Sequence, residues 1–104
     1  MYQLVLYKTS SGKEVVAKWL DSFKDNHLLF KIMQRIRRLE LGYFGDYKFL
    51  SQGLYELRFN FGPGYRIYYT IKGRQIILLY AGYKNSQKDD IKKSRIILQE
   101  ILNE

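Results

Sequence analysis

The chain contains no cysteine, one proline and one histidine among its 104 residues. The missing cysteine excludes a disulfide scaffold, a thiol nucleophile and any thiolate metal site, and is compatible with a cytosolic life. A lone histidine, His27, excludes a two-histidine acid–base pair and leaves no imidazole partner for a metal. It follows Asp25-Asn26, where a capping role suffices. The longest apolar runs, such as Ile76–Ala81, fall far short of the ~20 residues a membrane-spanning helix needs. Met1-Tyr2-Gln3-Leu4-Val5 has neither the basic head nor the apolar stretch of a signal peptide, so the expected compartment is the cytoplasm. Walker-type phosphate loops and G-x-S-x-G elbows are absent as well. Asp89 and Asp90 are adjacent and diverge by ~100° on a helix, which suits favourable charges at a helix start better than a shared cation. No metal and no other cofactor is called for.

What is present is positive charge and aromatic carbon. Eighteen Lys and Arg stand against ten Asp and Glu, a formal net charge of +8. Such a field favours polyanions: nucleic acid, an acidic protein or an anionic surface. Ten tyrosines and six phenylalanines either fill a small core or offer rings for stacking on unpaired bases. With 46% hydrophobic residues and no linker, repeat or low-complexity stretch, residues 1–104 read as a single folded domain.

Residues 2–7 suit a short strand. Ser11-Gly12-Lys13-Glu14 has the spacing of a capping box, and Val15, Val16, Trp19, Leu20 and Phe23 behind it share one helix face. After Lys24-Asp25-Asn26, a second helix carries Leu29, Ile32, Met33, Ile36 and Leu39 and stops at Gly42. The period then becomes two. In 54–61, Tyr55, Leu57, Phe59 and Phe61 oppose Glu56, Arg58 and Asn60; after the turn Gly62-Pro63-Gly64, Tyr65, Ile67, Tyr69 and Ile71 oppose Arg66, Tyr68 and Thr70. Gln75–Tyr80 is a near-continuous apolar run that suits a central strand buried on both sides. Ser86, three before Asp89, starts a final amphipathic helix with Ile91, Ile97, Leu98, Ile101 and Leu102 on its apolar face. The spacing therefore predicts an α+β domain of order β-α-α-β-β-β-α. Its two leading helices pack on an antiparallel sheet, and the first strand joins at an edge.

Pairing across Gly62-Pro63-Gly64 brings Arg58, Asn60, Arg66 and Tyr68 to one side of the sheet, with Lys84 approaching from the third strand. Planar guanidinium forks match phosphate oxygens and can hold the extra charge of a phosphorane. The RNA 2′-hydroxyl is itself a nucleophile, so cleavage without histidine needs only orientation, proton exchange and charge stabilisation. Glu56 lies on the same face, and the plain alternative is a solvated sheet surface with a Glu56–Arg cross-strand pair.

Three segments carry a resemblance: Gly53-Leu54-Tyr55-Glu56-Leu57-Arg58, Phe61-Gly62-Pro63-Gly64-Tyr65-Arg66-Ile67-Tyr68-Tyr69, and Gly82-Tyr83-Lys84-Asn85-Ser86-Gln87-Lys88-Asp89-Asp90-Ile91. With Trp19-Leu20, Arg35-Ile36-Arg37-Arg38-Leu39 and Gly45-Asp46-Tyr47-Lys48 upstream, the chain resembles the HigB-like branch of the RelE/ParE toxins, the phage-derived addiction module killer proteins of type II toxin–antitoxin systems. The resemblance implies a toxin that cuts mRNA on the ribosome, or, as in ParE relatives, one that poisons DNA gyrase. A third reading is a non-catalytic component that only binds its antitoxin. The resemblance also implies catalytic Arg66, Arg58 and Lys84, with a catalytic or RNA-stacking role for Tyr68, Tyr83 or Asp90; Asn60, Arg74 and Lys88 are expected to contact RNA. Its implied partners are the ribosome with its mRNA and a cognate antitoxin, typically a small helix-turn-helix protein. Operator DNA would be reached through the toxin–antitoxin complex, and no membrane is involved.

Overall fold

A computed structural model describes residues 1–103. The chain is α+β, with strands β1 Gln3–Leu6, β2 Tyr47–Ser51, β3 Leu54–Phe59, β4 Tyr65–Lys72 and β5 Gln75–Tyr83. Helices are α1 Val15–Asp21, α2 Asn26–Glu40 and α3 Gln87–Leu102. The five strands form one sheet of order β1-β5-β4-β3-β2. β2 through β5 pair antiparallel, whereas β1 pairs parallel to β5, so the sheet is mixed rather than wholly antiparallel.

The sheet is covered on both faces. Val16, Leu20, Ile32, Ile36 and Leu39 of the α1/α2 hairpin pack on Leu57, Phe59, Ile67, Tyr69, Ile76 and Leu78. Ile97, Leu98 and Ile101 of α3 pack on Leu54, Tyr68, Ile77 and Leu79. Alternation in β3 to β5 thus feeds two apolar layers, and β5 is buried on both sides as its apolar run predicts.

Two further expectations change. Ser11 does not cap α1, whose N-cap is Glu14 without a side-chain bond. Instead Gly12, at φ +87°, lets residues 9–13 turn back, and Ser11 bonds the Thr9 hydroxyl at 3.1 Å. The extra strand β2 escapes the period-two test because Tyr47, Lys48 and Phe49 are all exposed on an edge. Other local signals hold: Asp25 Oδ1 accepts from the backbone N–H of His27 at 2.9 Å and of Leu28 at 3.2 Å, and Gly42 follows α2 at φ +88°.

Tyr68 and Tyr69 stand back to back in β4, one in each layer, and both are fully buried. Burial pushes both hydroxyls well above the ordinary tyrosine value of about 10. A group whose folded value is raised stabilises the fold below its unfolded value and loses that contribution as pH climbs toward the folded one. The urea midpoint is therefore expected to stay level between pH 7 and 9 by the tyrosine contribution and to fall above about pH 10. A midpoint that holds at pH 11 would show that these hydroxyls ionise as freely in the folded chain as in the unfolded one.

Candidate functional site

Where β3 ends and β4 begins, Arg58 and Arg66 stand directly opposite each other, and two residues inward Glu56 faces Tyr68. Like charges in facing positions repel unless something lies between them. Glu56 supplies the compensation. Its Oε1 accepts from Arg58 Nε at 2.8 Å and lies 3.9 Å from Arg66 Nε, while its Oε2 accepts from Gln87 Nε2 of α3 at 2.6 Å. The carboxylate has no solvent exposure, and Arg66 keeps only 6%.

Arg66 Nη1 donates to the carbonyl of Tyr65 at 2.9 Å, and Arg66 Nε is buried without a hydrogen-bond partner among the described residues. The geometry leaves Nη2 of Arg66 and both Nη groups of the part-exposed Arg58 without protein acceptors among those residues. Planar N–H groups held in place and left without acceptors suit a bidentate anion such as phosphate.

Two glycines bring the neighbours in. Lys84 opens a 3-10 turn after β5, and its N–H donates to Gly64 O at 2.9 Å. A Cβ on Gly64, which has φ +79°, would lie 3.1 Å from Lys84 Cβ and 3.8 Å from Arg66 Nη1. The bare glycine therefore lets the lysine stem close over the turn beside the arginine. Gly82 pairs with Arg66 on β5, and a Cβ there would collide with Asp90, 2.9 Å from its Cγ. Asp90 thus rests on the bare strand, buried, and accepts from Ser86 Oγ at 2.5 Å. A bulge after Tyr68, where β4 and β5 slip register, helps to aim Gly82 at α3.

Of the sequence-predicted residues, Arg58 and Arg66 meet, with Lys84 adjoining through Gly64 and Asp90 through Gly82. Tyr68 has the right face but no access. It is fully buried, and its hydroxyl is pushed upward by burial first and then by the Glu56 and Asp90 carboxylates. It can neither stack on RNA nor serve as a base at neutral pH. Tyr83 turns to the opposite face, 5.7 Å from the Tyr65 ring. Exposed Asn60 is bound to Asp46 Oδ2 at 2.8 Å. Lys88 is exposed in the first turn of α3, near the cluster in sequence. Arg74 lies in the turn beyond the far end of β4, about 20 Å along the sheet from Arg66 at the usual strand rise.

The face is not a solvated surface, and Glu56 hydrogen-bonds Arg58 on its own strand as well as pairing with Arg66 across it at 3.9 Å. Glu56 and Gln87 are the two residues the alternation pattern undervalued. The available signal was the amphipathic α3: the helical hairpin already covers one face, so α3 had to cover the polar one. A separate cleft of about 500 Å³ lies between α3 and the loop after β1, away from the arginines.

A family model described as "Phage derived protein Gp49-like (DUF891)" matches residues 18–101, a span that includes Glu56, Arg58, Arg66, Lys84 and Asp90. An uncharacterized protein of Haemophilus influenzae is 42% identical over 84 residues, covering 80% of this chain and 85% of that protein. No solved structure matches.

Proposed function

We propose, from the premise that this chain belongs to the phage-derived Gp49-like family, that it is the toxin of a type II toxin–antitoxin module. In this reading it is a HigB-like member of the RelE/ParE toxins, formed by residues 1–104 as a single toxin domain. It acts in the cytoplasm as a ribosome-dependent mRNA endonuclease. The observation that carries the reading is the facing pair Arg58 and Arg66, held by a buried carboxylate with N–H groups left over.

The proposed reaction needs nothing beyond the RNA, the side chains and water. The 2′-oxygen attacks the adjacent phosphorus, its proton passing to solvent. The bond from phosphorus to the 5′-oxygen breaks, leaving a 2′,3′-cyclic phosphate and a 5′-hydroxyl. Arg66 and Arg58 hold the phosphate oxygens as the second negative charge develops, where fixed donors act most strongly. Lys84 gives a proton to the departing 5′-oxygen. Tyr68 is left out, and Asp90 positions the start of α3 rather than touching RNA.

The same reading supplies partners. A chain of +8 is neutralised by an acidic antitoxin, typically a small helix-turn-helix protein, and operator DNA is contacted through that complex. Among the described residues no helix is long and apolar enough to cross a membrane.

Induced alone in bacteria, the protein is expected to arrest growth, with translation falling before DNA synthesis and messages acquiring cyclic-phosphate ends. Co-expression of the antitoxin restores growth. Messages that stay intact while supercoiling and DNA synthesis fail first would replace this reading with gyrase poisoning of the ParE kind.

A further inference from the structure

On the hairpin face of the sheet, opposite Arg58 and Arg66, aromatic rings surround a second feature that the endonuclease reading leaves unused. Tyr2, Phe44, Tyr47, Tyr55 and Tyr69, with Ile71, line a pocket of about 130 Å³. Successive ring centroids lie 5.9 Å apart for Tyr2–Phe44, 5.6 Å for Phe44–Tyr47, 6.4 Å for Tyr47–Tyr55 and 5.2 Å for Tyr55–Tyr69. The last two rings are stacked, with 13° between their planes. The rings touch in series around a space instead of closing over it.

Two properties separate this pocket from a packing defect. Tyr69 is fully buried, yet its hydroxyl has no hydrogen-bond partner among the described residues, an arrangement that costs free energy unless a ligand supplies the acceptor. Burial keeps that hydroxyl protonated and therefore a donor. The open side is aromatic as well: Tyr47 is 46% exposed, and Phe49, its ring centroid 5.0 Å from that of Tyr55, is 53% exposed. Large rings standing in solvent this close together mark an interaction surface.

Charge selects the occupant. Among the described residues no carboxylate lines the pocket, and Arg35 is near enough to act on the Tyr69 hydroxyl. The nearby Asp46 is tied to Asn60. A cation is therefore disfavoured despite the rings, whereas a flat neutral group on an anionic backbone is favoured. We infer that this pocket seats one nucleobase of a single-stranded nucleic acid, stacked against the Tyr47–Tyr55 rings, with the Tyr69 hydroxyl donating to a heteroatom on the base edge. The inference rests on the pocket and the chain's charge, and it does not require cleavage.

The test uses 2′-deoxy hexathymidylate, which lacks the nucleophile of the proposed reaction, beside the same backbone with abasic positions throughout. By fluorescence anisotropy the parent is expected to bind the base-bearing strand roughly tenfold more tightly, the range of one stacked base. Tyr47→Ala, at a half-exposed position, should erase that preference and leave the salt dependence unchanged, because no phosphate contact is lost. Tyr69→Phe keeps the ring and should weaken the preference about threefold without lowering the melting temperature. Arg66→Ala should retain the preference, so failure of the endonuclease reading and failure of this one are distinguishable. Equal binding of both strands by the parent, or an undiminished preference in Tyr47→Ala, would overturn the inference and leave the pocket as a seat for an aromatic side chain of a protein partner.

Discussion

Arg66→Ala is expected to cut ribosome-bound message about 10²–10³-fold more slowly than the parent, the loss seen when one fixed donor to a developing oxyanion is removed. The guanidinium stands in line with Arg58 and beside Lys84, so its loss removes charge where the phosphorane would form. Arg66→Lys should recover part of the rate, since a point charge cannot reproduce a two-pronged contact. The substitution is not silent for the fold. Arg66 is buried, and alanine leaves a void beside a buried carboxylate. Glu56 still holds Arg58 at 2.8 Å and Gln87 at 2.6 Å, so the expected cost in stability is moderate, about 1–3 kcal/mol. Cleavage assayed below the melting temperature of both variants separates the two effects. A folded alanine variant that cuts at the parental rate would remove Arg66 from the reaction.

Glu56→Gln carries the largest expected effect on stability. The carboxylate is fully buried, bonded to one arginine and 3.9 Å from a second whose own Nε has no hydrogen-bond partner among the described residues. Removing its charge while keeping its shape leaves two facing cations with no anion between them. Breaking a buried pair in this way costs about 3–5 kcal/mol, and the part exposure of Arg58 places the expectation near the lower end. For a domain of this size that is a fall of about 10–20 °C in melting temperature. Cleavage should fall as well, although Glu56 is too buried to touch RNA. In the proposed reaction it would act as a positioning residue, through Arg58 and Arg66. Its rate loss should therefore vanish in an Arg58→Ala, Arg66→Ala background, which a residue in direct contact with RNA would not show. A Glu56→Gln chain melting with the parent would mean that the carboxylate's desolvation cost cancels its attraction.

Much of the fold was legible because its causes are local. Period-two alternation marks β3 and β4, the apolar run of β5 marks a strand buried on both faces, and Asp25 and Gly42 bound α2 by backbone chemistry that neighbours alone determine. The turn Gly62-Pro63-Gly64 brings β3 and β4 together, and so places Arg58 opposite Arg66. β2 was illegible because an edge strand need not bury either face: Tyr47, Lys48 and Phe49 form a strand only through their bonds to β3. The parallel pairing of β1 with β5 joins segments some seventy residues apart, and nothing in either segment names its partner.

The site divides along the same line. The amino-acid sequence by itself determined which side chains share a face, because alternation and a tight turn leave no other register. Only the tertiary structure decided what that face is. α3 folds across it, sealing Tyr68 and Glu56 from water, leaving Arg58 part-exposed, and carrying Gln87 and Asp90 in from thirty residues away. The physical reason is that a polar residue on a strand is exposed or buried according to what docks above it. Docking is settled by the apolar area that α3 can bury on Leu54, Ile77 and Leu79, the last two on a strand that carries neither arginine.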